Sequence, residues 1–305
     1  MGGVLDAAGA AAQSIATVSW VLFAGAAAIF VGVMLLLAAA LRRRPGPVRT
    51  RAWVIGGGLV FPIAVLVALF AWSVPMTPAW KPAPPPGALV VAVTGHLWWW
   101  DVRYRDPATG AEIRTANEIR IPVGRPVYLA LDSADAIHSF WVPRLAGKMD
   151  MLPGRMQHLL LTADAPGTYR GQCAEFCGEQ HARMALHVVA LRPAEFEAWL
   201  AAQAKPARAA TTARQEAGRE AFLANRCDAC HAVRGVSEGA RLAPDLTHIG
   251  SRMHLAAGTF ANSAEARREW IAHVQRVKSG ARMPSYQRLE GAPLEAIVEW
   301  LGALE

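Results

Sequence analysis

Two stretches without a charged residue, Ser14–Leu41 and Ala52–Trp80, constrain this 305-residue chain more than any other feature. The first is about 40 Å long if helical, enough to cross a hydrocarbon core of about 30 Å. The apolar heart of the second runs from Trp53 to Val74. A secretory signal is the competing reading of the first stretch. No basic segment precedes it, however, and it exceeds the usual hydrophobic region of such signals. Residues 1–80 are therefore expected to form a transmembrane hairpin with spans over about 15–41 and 53–74. Trp20, Trp53, Trp72 and Trp80 sit near the ends of the two stretches, where interfacial tryptophan is common. Pro62, inside the second, is tolerated in lipid and predicts a mild kink.

The loop between the spans carries Arg42, Arg43, Arg44, Arg49 and Arg51. Arginines in a short loop bias it to the cytoplasm, so both termini and everything after residue 75 are expected on the outer face. The same loop accounts for most of the net charge of +7. Residues 81–205 hold 13 basic and 12 acidic groups, and residues 212–305 hold 12 and 11. Neither block supplies the basic face of a nucleic-acid binder, so that class is excluded. With 53% hydrophobic and 18% charged residues, a disordered chain is excluded as well.

Beyond a proline-rich lead over residues 75–87, seven short β-rich segments alternate with turn signals: Leu89–Thr94, Leu97–Tyr104, Glu118–Ile121, Pro126–Leu131, His138–Val142, Gln157–Leu161 and Ala185–Leu191. That spacing predicts a β-sandwich or Greek-key barrel over 86–203, closed by a helix at Pro193–Gln203. Residues 204–213 read as a linker. The block 214–305 reads as all-α, with helices at Arg214–Asn225, Ser263–Val277 and Pro293–Ala303.

All four cysteines fall in two tight pairs. Cys227-Asp228-Ala229-Cys230-His231 is a C-x-x-C-H attachment pattern for haem c. Two thiols a turn apart can bond both vinyl groups while the next imidazole meets the iron. A thioredoxin-like dithiol or half a zinc site are the alternatives, but neither a βαβ pattern nor a second zinc pair accompanies it. Met283, in a loop between two helices, is the expected second axial ligand, ahead of Met253 and His254. A thioether there raises the iron potential. Pro244 offers a carbonyl that could orient His231, although a plain turn proline is an equal reading.

The other pair, Cys173 and Cys177, lies within twelve residues of His181 and Met184. Thiolate with thioether favours copper, and Cys-x3-Cys allows both sulfurs to bridge two ions. A further imidazole is then wanted, and His138 begins a strand at a suitable place. A short disulfide or a Cys2His zinc site stays open on the residues alone.

The hairpin, the Gly95-His96-Leu97-Trp98-Trp99-Trp100 stretch, His138-Ser139-Phe140 and the Cys173–Met184 loop resemble cytochrome c oxidase subunit II. The tail resembles class I cytochrome c, so the whole is similar to the caa(3)-type bacterial form with a fused cytochrome domain. The resemblance implies a cupredoxin fold holding binuclear CuA. Both thiolates, Cys173 and Cys177, would bridge the coppers. One copper would take His138 and Met184, the other His181 and the carbonyl of Glu175. It further implies that the Glu175 carboxylate reaches a magnesium or manganese ion at the subunit I interface. Trp98 would be the aromatic through which electrons reach CuA, whereas Trp99 and Trp100 read as sheet packing. Two departures stand out. The second span lacks the family's initial Glu, so no proton-channel role is carried over. Arg103 and Arg105 stand where acidic residues usually help to dock a cytochrome.

Expected from the resemblance is a subunit of a proton-translocating oxidase in a bacterial plasma membrane, with both cofactor domains on the periplasmic side. It would pass electrons from cytochrome c or a cytochrome bc complex to subunit I, with subunit III as a further partner. Two spans cannot enclose an oxygen-reducing site, so no catalytic residue is assigned here. A nitric oxide reductase subunit and a membrane-tethered copper carrier are the rival readings, and a carrier would not need the haem.

Overall fold

The computed structural model describes all residues except 1, 2, 4, 44, 45, 77–82 and 290. Arg44 and Trp80, with part of the proline-rich lead, therefore lie outside the described residues. Helix α1 spans Ala10–Arg42 and α2 spans Thr50–Met76, both long and apolar enough to cross a membrane. Their large side chains, Leu35 and Phe70 among them, are exposed, which in water would be untenable over this length. α1 starts one turn earlier than the charge-free stretch predicts. Its first turns pack on the next domain, burying Ala12 and Ala16. The Ala8 amide donates to the Arg144 carbonyl at 2.7 Å, and the Asp164 amide to the Ala8 carbonyl at 2.9 Å. In α2, a wide π-type stretch over Trp53–Val60 runs up to Pro62. Proline lacks an N–H and crowds the carbonyl four residues back, and a wider turn relieves that clash.

Among the described residues, ten strands follow in the next domain: β1 (Leu89–His96), β2 (Trp99–Arg105), β3 (Glu112–Ala116), β4 (Glu118–Pro122), β5 (Val127–Ser133), β6 (His138–Trp141), β7 (Met149–Met151), β8 (Gln157–Leu161), β9 (Gly167–Cys173) and β10 (Ala185–Leu191). The last block, expected to be all-α, adds one pair of two-residue strands, His254–Leu255 and Phe260–Ala261. They form two five-stranded sheets, ordered β3-β2-β1-β5-β8 and β4-β10-β9-β6-β7. The pairs β1–β5 and β4–β10 are parallel, the mark of a Greek-key sandwich rather than a meander. The core between the sheets holds Trp100, Val102, Leu129, Phe140 and Leu186, none more than 1% exposed.

All seven expected strands are present, within two residues at each end. Three more complete the sheets. β3 and β9 escape a hydrophobicity reading because their outward positions are Arg, Glu, Thr and Gly. β7 is a three-residue edge. Helix α3 (Pro193–Gln203) lays Phe196 and Leu200 into the sandwich.

The segment after α3 is tied to the following domain rather than free. The Lys205 carbonyl accepts from His248 Nε2 at 3.1 Å, and the Ala207 amide donates to the Arg234 carbonyl at 2.8 Å. Helix α4 (Ala213–Ala224) is capped by the Thr212 hydroxyl, which accepts from the Gln215 amide at 3.1 Å. It crosses the last helix, α7 (Ala292–Ala303), at Gly218, where a β-carbon would lie 2.1 Å from the Ala296 carbonyl oxygen. Phe222 and Trp300 pack beside that crossing with ring centroids 5.1 Å apart.

The single helix expected over Ser263–Val277 is a correction: it is α5 (Ala264–Ala272) and a short α6 (Val274–Val277), broken at His273. Gln275 explains the break. Its amide donates to the Ser285 hydroxyl, and its side chain donates to the carbonyls of Ala281 and Met283. Local side-chain bonds thus replace the helical ladder and fix the Met283 loop.

Candidate copper and haem centres

The end of β9, the start of β6 and the start of β10 meet at one edge of the sandwich. The Cys173 amide donates to the Met184 carbonyl at 2.9 Å, and the Ala174 amide to the Ser139 carbonyl at 2.9 Å. These bonds clamp the base of the 174–184 loop. Cys173 Sγ and Cys177 Sγ lie 3.8 Å apart, too far for a disulfide. Around them stand His138 Nδ1 at 3.8 Å from Cys173, His181 Nδ1 at 3.6 Å and Met184 Sδ at 3.8 Å from Cys177, and the Glu175 carbonyl at 3.2 Å from Cys173. The structure brings all six sequence-predicted donors together. His138, Cys173, Cys177 and Met184 are buried.

The Cys177 thiol's hydrogen bond, aided by His138 and nearby backbone, holds Cys173 far below the usual thiol range. Once that sulfur is charged, Cys177 is pushed up, above all by its bond to Cys173. One thiolate is thus favoured before any metal arrives, and a cation is needed to hold two. A soft cation answers a set of two sulfurs, a thioether and two imidazoles.

Residues not singled out from sequence hold these donors in place. Asp135 Oδ1 lies 2.8 Å from His138 Nε2, and Asp135 Oδ2 accepts from the Leu97 amide at 2.9 Å. Burial works against a charge on His138, but Asp135 and Cys173 raise its pKa on balance. A carboxylate on the far nitrogen leaves Nδ1 for a metal. The Asp-x-x-His spacing was the available signal. Gly95 on β1 packs against the His138 ring, and a β-carbon there would lie 2.8 Å from its Cδ2.

Trp98 Nε1 donates to the Cys177 carbonyl at 2.9 Å. Trp100 is fully buried, with its ring 5.9 Å from Phe140, as the packing reading expects. Trp99 departs from that reading: it stacks on His96 at 4.4 Å and faces the second centre. The Glu175 carboxylate is half-exposed, 3.4 Å from Lys148 Nζ, which also meets Asp150 at 3.0 Å. Asp101 is buried and bound by Arg114 at 2.9 Å and Arg103 at 3.4 Å, so its charge is spent inside the domain.

The second centre is a cavity of about 420 Å³, within the range of small-molecule sites. Cys227, Cys230, His231 and Met283 all line it. His231 Nδ1 lies 2.8 Å from the Pro244 carbonyl, the orienting bond anticipated from sequence. Burial lowers the His231 pKa, favouring the neutral imidazole that binds metal through Nε2. Met253 does not line the cavity and approaches Thr168 instead. His254 does line it, but its ring is stacked on His187 with centroids 4.1 Å apart. The buried Nε of Arg252, also in the lining, has no hydrogen-bond partner among the described residues. A donor left open in this way fits a haem propionate.

The cavity is shared between domains: His96, Leu97, Trp98 and Trp99 form one wall. The cytochrome-like block is docked on the copper loop. Ala185 donates its amide to the Ala257 carbonyl at 3.0 Å, and Gln180 Nε2 donates to the Ser279 carbonyl at 2.9 Å. Glu118 accepts from the amides of Met253 and His254 at 2.6 and 3.0 Å.

Two family models match. That of the cytochrome c oxidase subunit II periplasmic domain covers residues 89–191, and that of cytochrome c covers 215–305. Cytochrome c oxidase subunit 2 of Alkalihalophilus pseudofirmus is 33% identical over 288 residues, covering 91% of this chain and 82% of that one. The Bacillus subtilis protein of the same name is 32% identical over 257 residues, covering 81% and 70%. The solved periplasmic domain of subunit II of Bradyrhizobium japonicum cytochrome oxidase is 28% identical, covering 39% of this chain and 96% of that one, with a TM-score of 0.37. On the extent and identity of the sequence match, the chain belongs to the cytochrome c oxidase subunit 2 family.

Proposed function

We propose that the chain accepts electrons at haem c and passes them through a binuclear CuA to a larger membrane partner, subunit I of a haem–copper oxidase, for reduction of oxygen to water. Cys227 and Cys230 would hold the haem covalently, with His231 and Met283 as axial ligands. Cys173 and Cys177 would bridge the two coppers, with His138 and Met184 on one, and His181 and the Glu175 carbonyl on the other. When bound, the two groups supply single-electron carriers of suitable potential.

The residues do the positioning. Clamped strand ends hold the copper donors, so little has to move when the charge on the metals changes. Trp98 carries the reading: its ring lines the haem cavity while its indole N–H bonds the carbonyl of a bridging cysteine. Among the aromatic rings that line the cavity it is the one that also bonds the copper loop, among the hydrogen bonds described. The Glu175 carboxylate, half-exposed beside the copper loop, would reach a magnesium or manganese ion at the subunit I surface.

The bounds proposed are a membrane hairpin over 1–80, a copper domain over 86–203, a linker over 204–213 and a cytochrome domain over 214–305. Residues 6–16 and the copper domain pack together, so they share one side of the membrane. The arginine loop supports reading that side as the periplasmic one of a bacterial plasma membrane. Subunit III as a neighbour and cytochrome c or a cytochrome bc complex as donor complete the reading.

The test is metal and haem analysis with electron paramagnetic resonance on the full-length chain purified in detergent. Two coppers per haem and a delocalised mixed-valence signal are expected. One zinc without copper, or a disulfide between Cys173 and Cys177, overturns the assignment.

A further inference from the structure

Only four of the 31 basic residues are lysines, and one of these, Lys278, is 3% exposed. It lies in the docking seam, just after α6. Its Nζ donates to the carbonyls of Trp98 at 2.7 Å, Arg183 at 2.8 Å and Ala256 at 3.3 Å. No carboxylate pairs with it among the described residues. An ammonium has three N–H donors and no acceptor, and here it meets three carbonyls. Arginine, planar and larger, could not converge on them in the same way. Two of the three carbonyls belong to the copper domain and one to the cytochrome domain.

The choice of partners matters. Trp98 is fixed at both ends: its indole by the Cys177 carbonyl, its backbone by Lys278 of the other domain. Arg183 directly precedes Met184 in the copper loop. A single buried amine, its pKa lowered to about 7 by burial and then by Arg183, therefore ties the cytochrome domain to both sides of the route between the two centres. The Lys278 amide donates to the Val274 carbonyl at 2.7 Å, which anchors the residue to α6. Charged groups also bond across the seam elsewhere: the Arg183 guanidinium on the Val277 carbonyl, Arg120 on the Ser251 carbonyl at 3.3 Å and Glu118 on two amides. Among the hydrogen bonds described, Lys278 is the one that crosses it to Trp98.

We propose that Lys278 is the positioning residue that latches the cytochrome domain onto Trp98 and the copper loop, holding the chain in the pose in which electrons pass between its two centres. The proposal rests on the function given above. Tunnelling falls steeply with distance, so a seam that opens even transiently interrupts transfer.

The test compares wild-type and Lys278→Met oxidase, both as the assembled complex. Hydrogen exchange is read at the seam amides of Ala185, Met253 and His254. Losing three buried hydrogen bonds should raise their exchange about tenfold or more. Haem-to-copper transfer after photoreduction should slow, with the haem potential and copper resonance unchanged. Unchanged seam protection overturns the proposal. So does a shifted haem potential with an intact seam, which would make Lys278 a support of the Met283 loop alone. Should the variant not assemble, amine-reactive footprinting of the wild-type complex decides: Lys278 should react at least about tenfold more slowly than exposed Lys205, and equal rates overturn the latch. A wild-type complex lacking haem or copper defeats the function itself. A loaded complex with a reactive Lys278 defeats only the latch.

Discussion

His138 can serve a metal because two neighbours leave its ring one orientation. Asp135 holds the far nitrogen, and Gly95 leaves the ring its space. Asp135→Asn keeps the shape but removes the charge, and should weaken copper binding about 10- to 100-fold, as read by chelator competition. An unchanged affinity would show that the carboxylate is dispensable. Gly95→Ala should displace the ring and lose copper while the far-ultraviolet circular dichroism of the sheet persists. The candidate donors of the Cys173–Met184 loop were legible from sequence because soft donors rarely cluster within twelve residues by chance. Gly95 and Lys278 were not, since each acts on a residue far along the chain or on backbone atoms that carry no sequence signature, whereas Asp135 left a local signal in its spacing from His138.

At the scale of elements, the helices of the cytochrome domain were readable from caps and apolar spacing, and the break at His273 was not. It depends on Gln275 bonding carbonyls six and eight residues ahead, which helical periodicity does not register. The α4–α7 crossing depends on Gly218. Gly218→Val must push the helices apart, with an expected cost of about 3 kcal/mol or more, measured by thermal unfolding followed at the haem absorbance. A melting temperature equal to wild type would mean that the crossing tolerates a side chain. In the sandwich, β3 and β9 were missed for a related reason. Their inward residues alternate with charged or small ones, and their strand character comes from pairing with β2 and β10.

In the whole molecule, docking places the haem cavity against the copper loop, and one contact in the seam makes docking sensitive to acid. His187 of β10 stacks face to face on His254, with Arg170 adding to the unfavourable charge and Glu118 capping the His254 amide. Burial, then His254 and Arg170, lower the His187 pKa to about 4 from 6.5. The docked form binds fewer protons than the open form, so its full stability is present above pH 6.5. That stability is lost as the pH falls toward 4, by about 3 kcal/mol at most. Seam-amide exchange corrected for intrinsic rates should therefore rise between pH 6.5 and 4, and His187→Phe should flatten the response. A flat wild-type profile would remove the histidine pair from the docking equilibrium. The sequence alone determined two helices apolar enough to cross a membrane, the order of the domains and the set of candidate metal donors, because apolar length and ligand chemistry are written locally. Only the tertiary structure decided that the two centres share a wall, that the linker is tied down and that Trp98 is held from both sides. Those features arise where chain segments some 80 to 180 residues apart meet, at backbone carbonyls that every residue has alike.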